Sequence, residues 1–480
     1  MDAALLILSV ALPWCAGCGL LLAAGWPGRG APGAGDRPAG AVALVLGYGY
    51  FAGLLVLTVW MRLLSVAGVG FGRAAVVAPL VALGALAAYL VRWRRASRAL
   101  ALAASIVRPP FAGWRRLVWL LLLGWLALRF ATLAVEAGTR PLYPWDAWSQ
   151  WATKARVWYE LGRIIPFVPA DAWLAGAPGV YFDASPANPA TVPLVQAWTA
   201  IMLGRWDDSA TNWPWPFMLV ALALAMYGML RDRGVLPLGS LIGAYLVASL
   251  PLLDTHAALA GYADLPLCAT YSLAALALYR WASGREGRDG VLAVLLALAC
   301  PAIELSGSAW ALTLVPGAIA AFEPRRGPRI AAWILGIVAV ALVGLATGTL
   351  SIPDGILQGG ASQPSAAWRS LLDSFLLADN WHLLWYGTIL LAIVGARRLV
   401  APPLAQLAIV ALSGLAWVLV VAMFGNDLAS WFPEARVADR AALITAPVLI
   451  FLGVLVWREL TAREAAPAPP SPASALTVDA

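Results

Sequence analysis

The stretch "RRLVWLLLLGWLALRFATLAVEAGTRPLYPWDAW", residues 115–148, decides how the whole chain is read. Its middle, 117–135, is almost wholly apolar and of the length, about 20 residues, that a helix needs to cross a hydrocarbon core about 30 Å thick. From Arg92 to Arg116 there are seven arginines and no acid. Such a run of cations marks a cytoplasmic loop under the positive-inside rule. The apolar run therefore crosses outward, and Asp146, between Trp145 and Trp148, emerges on the outer face.

The rest of the chain repeats this pattern. It is 62% hydrophobic and 12% charged, where ordinary globular proteins carry about 25% charged residues. Apolar runs are expected at 3–25, 40–63, 73–91, 213–230, 236–253 and 265–283. A hairpin is expected over 290–322, and further spans at 329–350, 382–396, 402–424 and 441–457. The sequence thus predicts an all-α polytopic integral membrane protein with about thirteen transmembrane helices and a large first outer loop. The apolar piece 191–204 is short for a crossing and reads as a re-entrant or interfacial helix. The tail from 458 to 480 is Pro/Ala-rich and reads as a disordered cytoplasmic segment.

Several function classes recede on composition. The net charge of +7 comes from arginine clusters between apolar runs, so it marks loops rather than a nucleic-acid surface. Cys15 and Cys18 form a C-x-x-C inside the first apolar run, with no second pair and no nearby histidine, and read as small packing residues. Asp2 stands where a signal peptide would carry a basic residue, so no cleaved leader is expected.

The outer loop, 136–190, is too long for a plain connection and too rich in tryptophan for disorder. Interfacial anchoring accounts for some of its rings. It does not account for Asp146, an acid at the outer end of a span, where ionisable groups are costly and tend to be functional. A helix begun near Trp145 puts Asp146, Gln150 and Lys154 on one stripe, with Trp148 and Trp151 beside it. Lys154 is the chain's only lysine among 32 cationic side chains. It is either an anchor or a contact to phosphate or substrate. Other outer loops add Asp254, His256, Tyr262, Asp264, Glu304, Arg436, Asp439 and Arg440 to the same side. Two isolated histidines are a weak metal signal, and no metal ligand set is assigned.

With these residues placed, the chain resembles the GT-C class of polytopic glycosyltransferases, which includes protein O-mannosyltransferases, aminoarabinose transferases and rhizobial galacturonosyltransferases. The resemblance rests on "YPWDAWSQWATKA", with an acid in the first large outer loop, on "SPANPATVPLVQAW", on "GYADLPL" around Asp264, and on "ADRAALITAPVLI" before the last span. It covers about 115–457, so that 114–457 reads as the catalytic membrane domain and 1–113 as an added three-span unit with a basic loop. At 301–307 relatives often have a Lys-x-Glu-Gly stretch, where this chain has "PAIELSG" with Glu304 and no cation.

The resemblance implies a bacterial inner-membrane enzyme with an outward-facing site. It would take a sugar from a polyprenyl-phosphate carrier and pass it to a lipid, glycan or protein acceptor. Asp146 would be the general base. Arg436 and Arg440, with Lys154 near them, would meet the leaving phosphate. Trp148, Trp151, Tyr262, His256, Asp264 and Glu304 would bind substrate, and Asp264 would either orient the acceptor or carry a divalent metal. A lipid-carrier flippase or transporter is the alternative from another class, but such proteins usually show internal repeats and midplane charges. No repeat is found here. An O-antigen ligase or polymerase shares the general plan but usually centres on a late loop.

Overall fold

The computed structural model describes residues 2–28, 40–93, 112–176, 178–346, 367–428 and 438–464. Nearly all of the regular structure is helical. The longer helices are α1 Asp2–Ala23, α2 Ala41–Val66, α3 Arg73–Trp93 and α4 Trp114–Thr139. After the first loop come α5 Thr153–Leu161, α6 Thr191–Leu203, α7 Pro214–Asp232, α8 Pro237–Ala248 and α9 Pro251–Ala258. Next are α10 Asp264–Gly284, α11 Gly287–Ile303, α12 Gly307–Thr313, α13 Val315–Phe322 and α14 Gly327–Ala346. The chain closes with α15 Ala367–Leu376, α16 Leu384–Val394, α17 Leu404–Leu428 and α18 Ala438–Glu464. Two short helical turns, Ala170–Leu174 and Ala396–Leu399, lie between them.

Among the described residues, seven helices are long and apolar enough to cross a membrane: α1, α2, α3, α4, α7, α17 and α18. The count becomes eight if α8 and α9, bent by 62° at Pro251, form one span. The fold is therefore all-α and membrane-embedded, while thirteen crossings are not reached on length and apolarity. The hairpin expected over 290–322 turns between Ile303 and Gly307, after α11, and its second arm is split into the short helices α12 and α13. The span expected at 329–350 runs past the described residues. Helix α4 shows why the surface calls for lipid. Only Trp119, Leu126, Leu133 and Ala137 are buried, a narrow seam, while Leu117, Leu120, Leu121, Trp125, Leu128 and Val135 point out. So much outward apolar surface is stable in a bilayer and not in water.

At the centre stands α10, buried from Asp264 through Arg280 and packed against α7, α11, α17 and α18. The N-terminal helices join this core rather than flanking it. A Cβ on Gly53 would fall 1.9 Å from the Pro13 carbonyl oxygen, and one on Gly17 would fall 2.0 Å from the Gly49 oxygen. Small residues let α1 and α2 touch backbone to backbone, the usual way helices associate in lipid. Three hydrogen bonds fix them further: Trp198 Nε1 donates to the Ser9 carbonyl at 2.7 Å, Tyr50 Oη to Pro214 at 2.8 Å and Tyr48 Oη to Leu273 at 3.0 Å.

These packings bring the end of α4 and the starts of α7, α10 and α18 to one face, together with the 140–190 loop. The ends of α7, α10 and α18 gather at the opposite face. There Arg280 pairs with Asp232 at 3.3 Å and Asp289 at 3.0 Å, while Trp26 Nε1 donates to Asp289 at 2.8 Å.

Candidate functional site

The loop that follows α4 is ordered by its own side chains. Residues Ala147–Ala152 form a π-helical turn, a geometry often found at functional sites. The turn runs into α5, which stops at Gly162 in the left-handed conformation (φ 66°). Beyond it, Phe167–Val168 pairs in parallel with Tyr181–Phe182. Lys154 is 1% exposed. Its ammonium pairs with Asp183 at 3.3 Å, donates to the Ser185 carbonyl at 2.6 Å, and lies 6.0 Å from the centre of the buried Trp151 ring. Burial pushes the Asp183 carboxyl above its ordinary value, against the opposing pull of Lys154 and the Ser185 amide.

Asp146 sits at the start of the π turn, one-quarter exposed. Its Oδ1 accepts a long hydrogen bond from Gln150 Nε2 at 3.4 Å, and Gln150 Oε1 accepts one from Asn188 Nδ2 at 2.9 Å. The Asn188 carbonyl in turn lies 3.5 Å from Lys154 Nζ. A polar chain thus runs from the buried lysine pair to Asp146. The other carboxyl oxygen of Asp146 meets Arg440 Nη1 at 2.9 Å.

Arg440 ties the face together. Its Nε and Nη2 each reach an oxygen of Asp264 at 2.7 Å, the bidentate fork–fork arrangement. Its guanidinium also lies 5.1 Å from the centre of the Tyr262 ring, within cation–π range. His256 Nδ1 is 3.6 Å from Asp264 Oδ2, and its ring meets Tyr262 edge-on at 5.6 Å. Asp264 starts the buried α10 and Arg440 starts α18, so two rigid helices hold the pair. Gly261 (φ +106°) lets the turn before Asp264 close on the π turn. A Cβ there would stand 2.9 Å from Ala147 Cβ.

Beneath Arg440 is a cavity of about 20 Å³ lined by Asp264, Glu304, Ser306, Trp310, Trp417 and Arg440. That is room for one water-sized group. Glu304 is buried here, on the wall of the cavity that Arg440 and Asp264 share.

Six of the residues singled out from sequence therefore converge: Asp146, His256, Tyr262, Asp264, Glu304 and Arg440. Trp148 stays close to solvent, edge-to-face with Trp145 at 4.8 Å. Trp151 and Lys154 are enclosed beneath the loop. Arg436 lies outside the described residues. Among the described residues, no group of three or more His, Cys, Asp or Glu side chains is arranged to hold a metal ion. Sequence reasoning did not find Asp183 as the partner of Lys154, nor Gly261, Trp310 and Trp417 around the cluster. The Gly-Tyr before Asp264 was the one available signal, since a left-handed glycine marks a close approach. No family model, curated protein or solved structure matches this chain.

Proposed function

We propose that the chain is a membrane glycosyltransferase that moves a sugar from a polyprenyl-phosphate carrier to a hydroxyl or amine of a cell-envelope acceptor. In this reading the 140–190 loop faces the exterior and the arginine clusters face the cytoplasm of a bacterial inner membrane. The observation that carries it is Arg440 held between a deeply buried carboxylate, Asp264, and a more accessible one, Asp146.

The chemistry follows from that arrangement. The acceptor oxygen or nitrogen attacks the anomeric carbon, and the bond to the carrier phosphate breaks with its electron pair on phosphate oxygen. Asp146 is the carboxylate able to reach the acceptor proton, and such a base contributes about 10² to 10⁴ in rate. Asp264 holds Arg440 by Nε and Nη2, which leaves Nη1 directed at Asp146. As the proton arrives, Asp146 loses its charge and its hold on Nη1. The arginine charge is then available to the phosphate as negative charge develops there, a stabilisation stronger in the transition state than in the ground state. Trp148, exposed beside Asp146, offers a face for stacking on the sugar. Lys154 acts through Asn188 and Gln150 to position Asp146.

The test is consumption of labelled polyprenyl-phosphate sugars by the purified protein in proteoliposomes supplied with a crude envelope acceptor. Transfer of label to the acceptor supports the reading. Label that changes leaflet without leaving the carrier replaces it with a transporter.

A further inference from the structure

A second cleft lies remote from the carboxylate cluster. It has a volume of about 1180 Å³ and runs between α8, α16 and α18, above the range of about 300 to 1,000 Å³ usual for small-molecule sites. Its walls are apolar, with Ile242 and Leu246 on α8 facing Leu391 on α16 and Val454 on α18. One end closes at Trp381 and at His382, whose Nε2 lies 3.0 Å from the Ser249 carbonyl. The other end, at the face opposite the site, is bordered by Arg115, Arg458 and the exposed rings of Trp114 and Trp457. Among the described residues no acid lines the cleft itself, while Glu459 pairs with Arg458 at 3.3 Å beside its mouth.

Three features identify the occupant. An apolar cleft against α18, a helix long and apolar enough to cross a membrane, is filled by hydrocarbon, because burying apolar walls away from water is favourable. Helix α8 and the two residues after it rise about 20 Å at about 1.5 Å per residue. That is about two thirds of a hydrocarbon core about 30 Å thick, so the wall is long enough for the acyl chains of one leaflet. The mouth carries two cations and two tryptophans, the composition of a headgroup site, and basic pockets of this kind between helices hold anionic lipid headgroups. Arg115 lies over the Trp114 ring at 5.6 Å, with its side chain exposed.

We propose that this cleft is a binding site for an anionic glycerophospholipid of the leaflet opposite the catalytic face, its acyl chains along α8 and α18 and its phosphate at Arg115 and Arg458. The inference does not rest on the sugar-transfer reading, because it uses none of the residues of that site.

The test is retention of lipid by the full-length protein purified in neutral detergent, read by native mass spectrometry. The probes are phosphatidylglycerol and phosphatidylcholine of identical acyl chains and a polyprenyl phosphate, offered together. Phosphatidylglycerol is retained over phosphatidylcholine by about tenfold or more, and Arg115→Ala cuts that preference about fivefold, as removal of one cation near a headgroup does. Arg458 also donates to the Arg233 carbonyl, so Arg458→Ala risks the fold; Arg115→Glu, on an exposed side chain, is the second variant and abolishes the preference. Ile242→Trp, which narrows the cleft at α8, weakens retention while thermal unfolding shows the protein intact. Equal retention of the two phospholipids overturns the proposal. So does displacement of phosphatidylglycerol by polyprenyl phosphate, or a preference unmoved by Arg115→Glu.

Discussion

Arg440 divides its guanidinium between two carboxylates, and the division separates their roles. Asp264, with a side chain 4% exposed, is fully engaged by the fork, while Asp146 keeps access to solvent. Removing the buried partner deprives the cation of its bidentate counter-charge and leaves it with Asp146 on Nη1, and breaking a buried pair typically costs about 3–5 kcal/mol. Asp264→Asn should therefore lower the unfolding midpoint in detergent sharply, and Asp264→Asn with Arg440→Gln should recover part of the loss; an unchanged midpoint for the single variant would contradict the pairing. Asp183 gives a second, signed prediction. Its carboxyl is raised above its ordinary 3.8 by burial, so the folded loop binds that proton more readily than the unfolded chain. Its contribution to stability then falls as pH rises from 3.8 through the folded value and is flat above it. Hydrogen exchange over 163–190, corrected for intrinsic rates, should be no faster at pH 5 than at pH 7.5, and faster exchange at pH 5 would show the sign is wrong. The acids and Arg440 were legible in the sequence because each stands at the end of an apolar run. Which acid pairs with which cation was not, since 28 residues separate Lys154 from Asp183 and they are folded from short elements that pattern rules do not assemble.

The π turn after Asp146 is the element on which the site depends. The sequence suggested a straight helical stripe of Asp146, Gln150 and Lys154. The structure keeps the Asp146–Gln150 contact but inserts wider turns before α5, and the stripe continues sideways through Asn188. Lys154 is buried with its ammonium in contact with Asp183 and the Ser185 carbonyl, and a guanidinium is bulkier, so Lys154→Arg should push the loop away from Asp146. A displacement near 1 Å can cost about 10²-fold in rate. Turnover should fall by that order while the protein stays folded, and wild-type turnover would reduce Lys154 to a plain anchor. Helix α6 illustrates the opposite difficulty. Its apolar sequence suggested an interfacial or re-entrant piece; every residue from Thr191 to Leu203 is buried, enclosed by α1, α2 and α5, which disagrees with an interfacial helix and agrees with a piece held inside the protein. The α1–α2 contact is equally exacting. Gly53→Leu has no space against the Pro13 carbonyl, and overpacking of this kind costs about 1–3 kcal/mol or more. A lowered thermal midpoint checks it, and an unchanged one would mean the helices do not touch there.

At the scale of the whole molecule, the all-helical, membrane-embedded architecture followed from apolar run length alone. The number of crossings did not. Helices α6, α9, α12, α13 and α16 are apolar but short, and hydropathy cannot tell a short buried helix from a span. The first three helices read as an added unit in sequence; in three dimensions glycines bring α1 and α2 into backbone contact, and both helices contribute to the common core. One axis of polarity remains. A carboxylate–arginine cluster occupies the loop face, and a separate ion network with the basic mouth of the lipid cleft occupies the other. The glycosyltransferase account needs the first cluster to do chemistry rather than only to hold helices. The direct measurement is transfer of labelled sugar from polyprenyl phosphate in proteoliposomes by the wild type and by Asp146→Asn, with equal thermal midpoints confirming that both are folded. The account predicts transfer by the wild type and a loss of about 10² to 10⁴ in the variant. Transfer at equal rates in both proteins would contradict it.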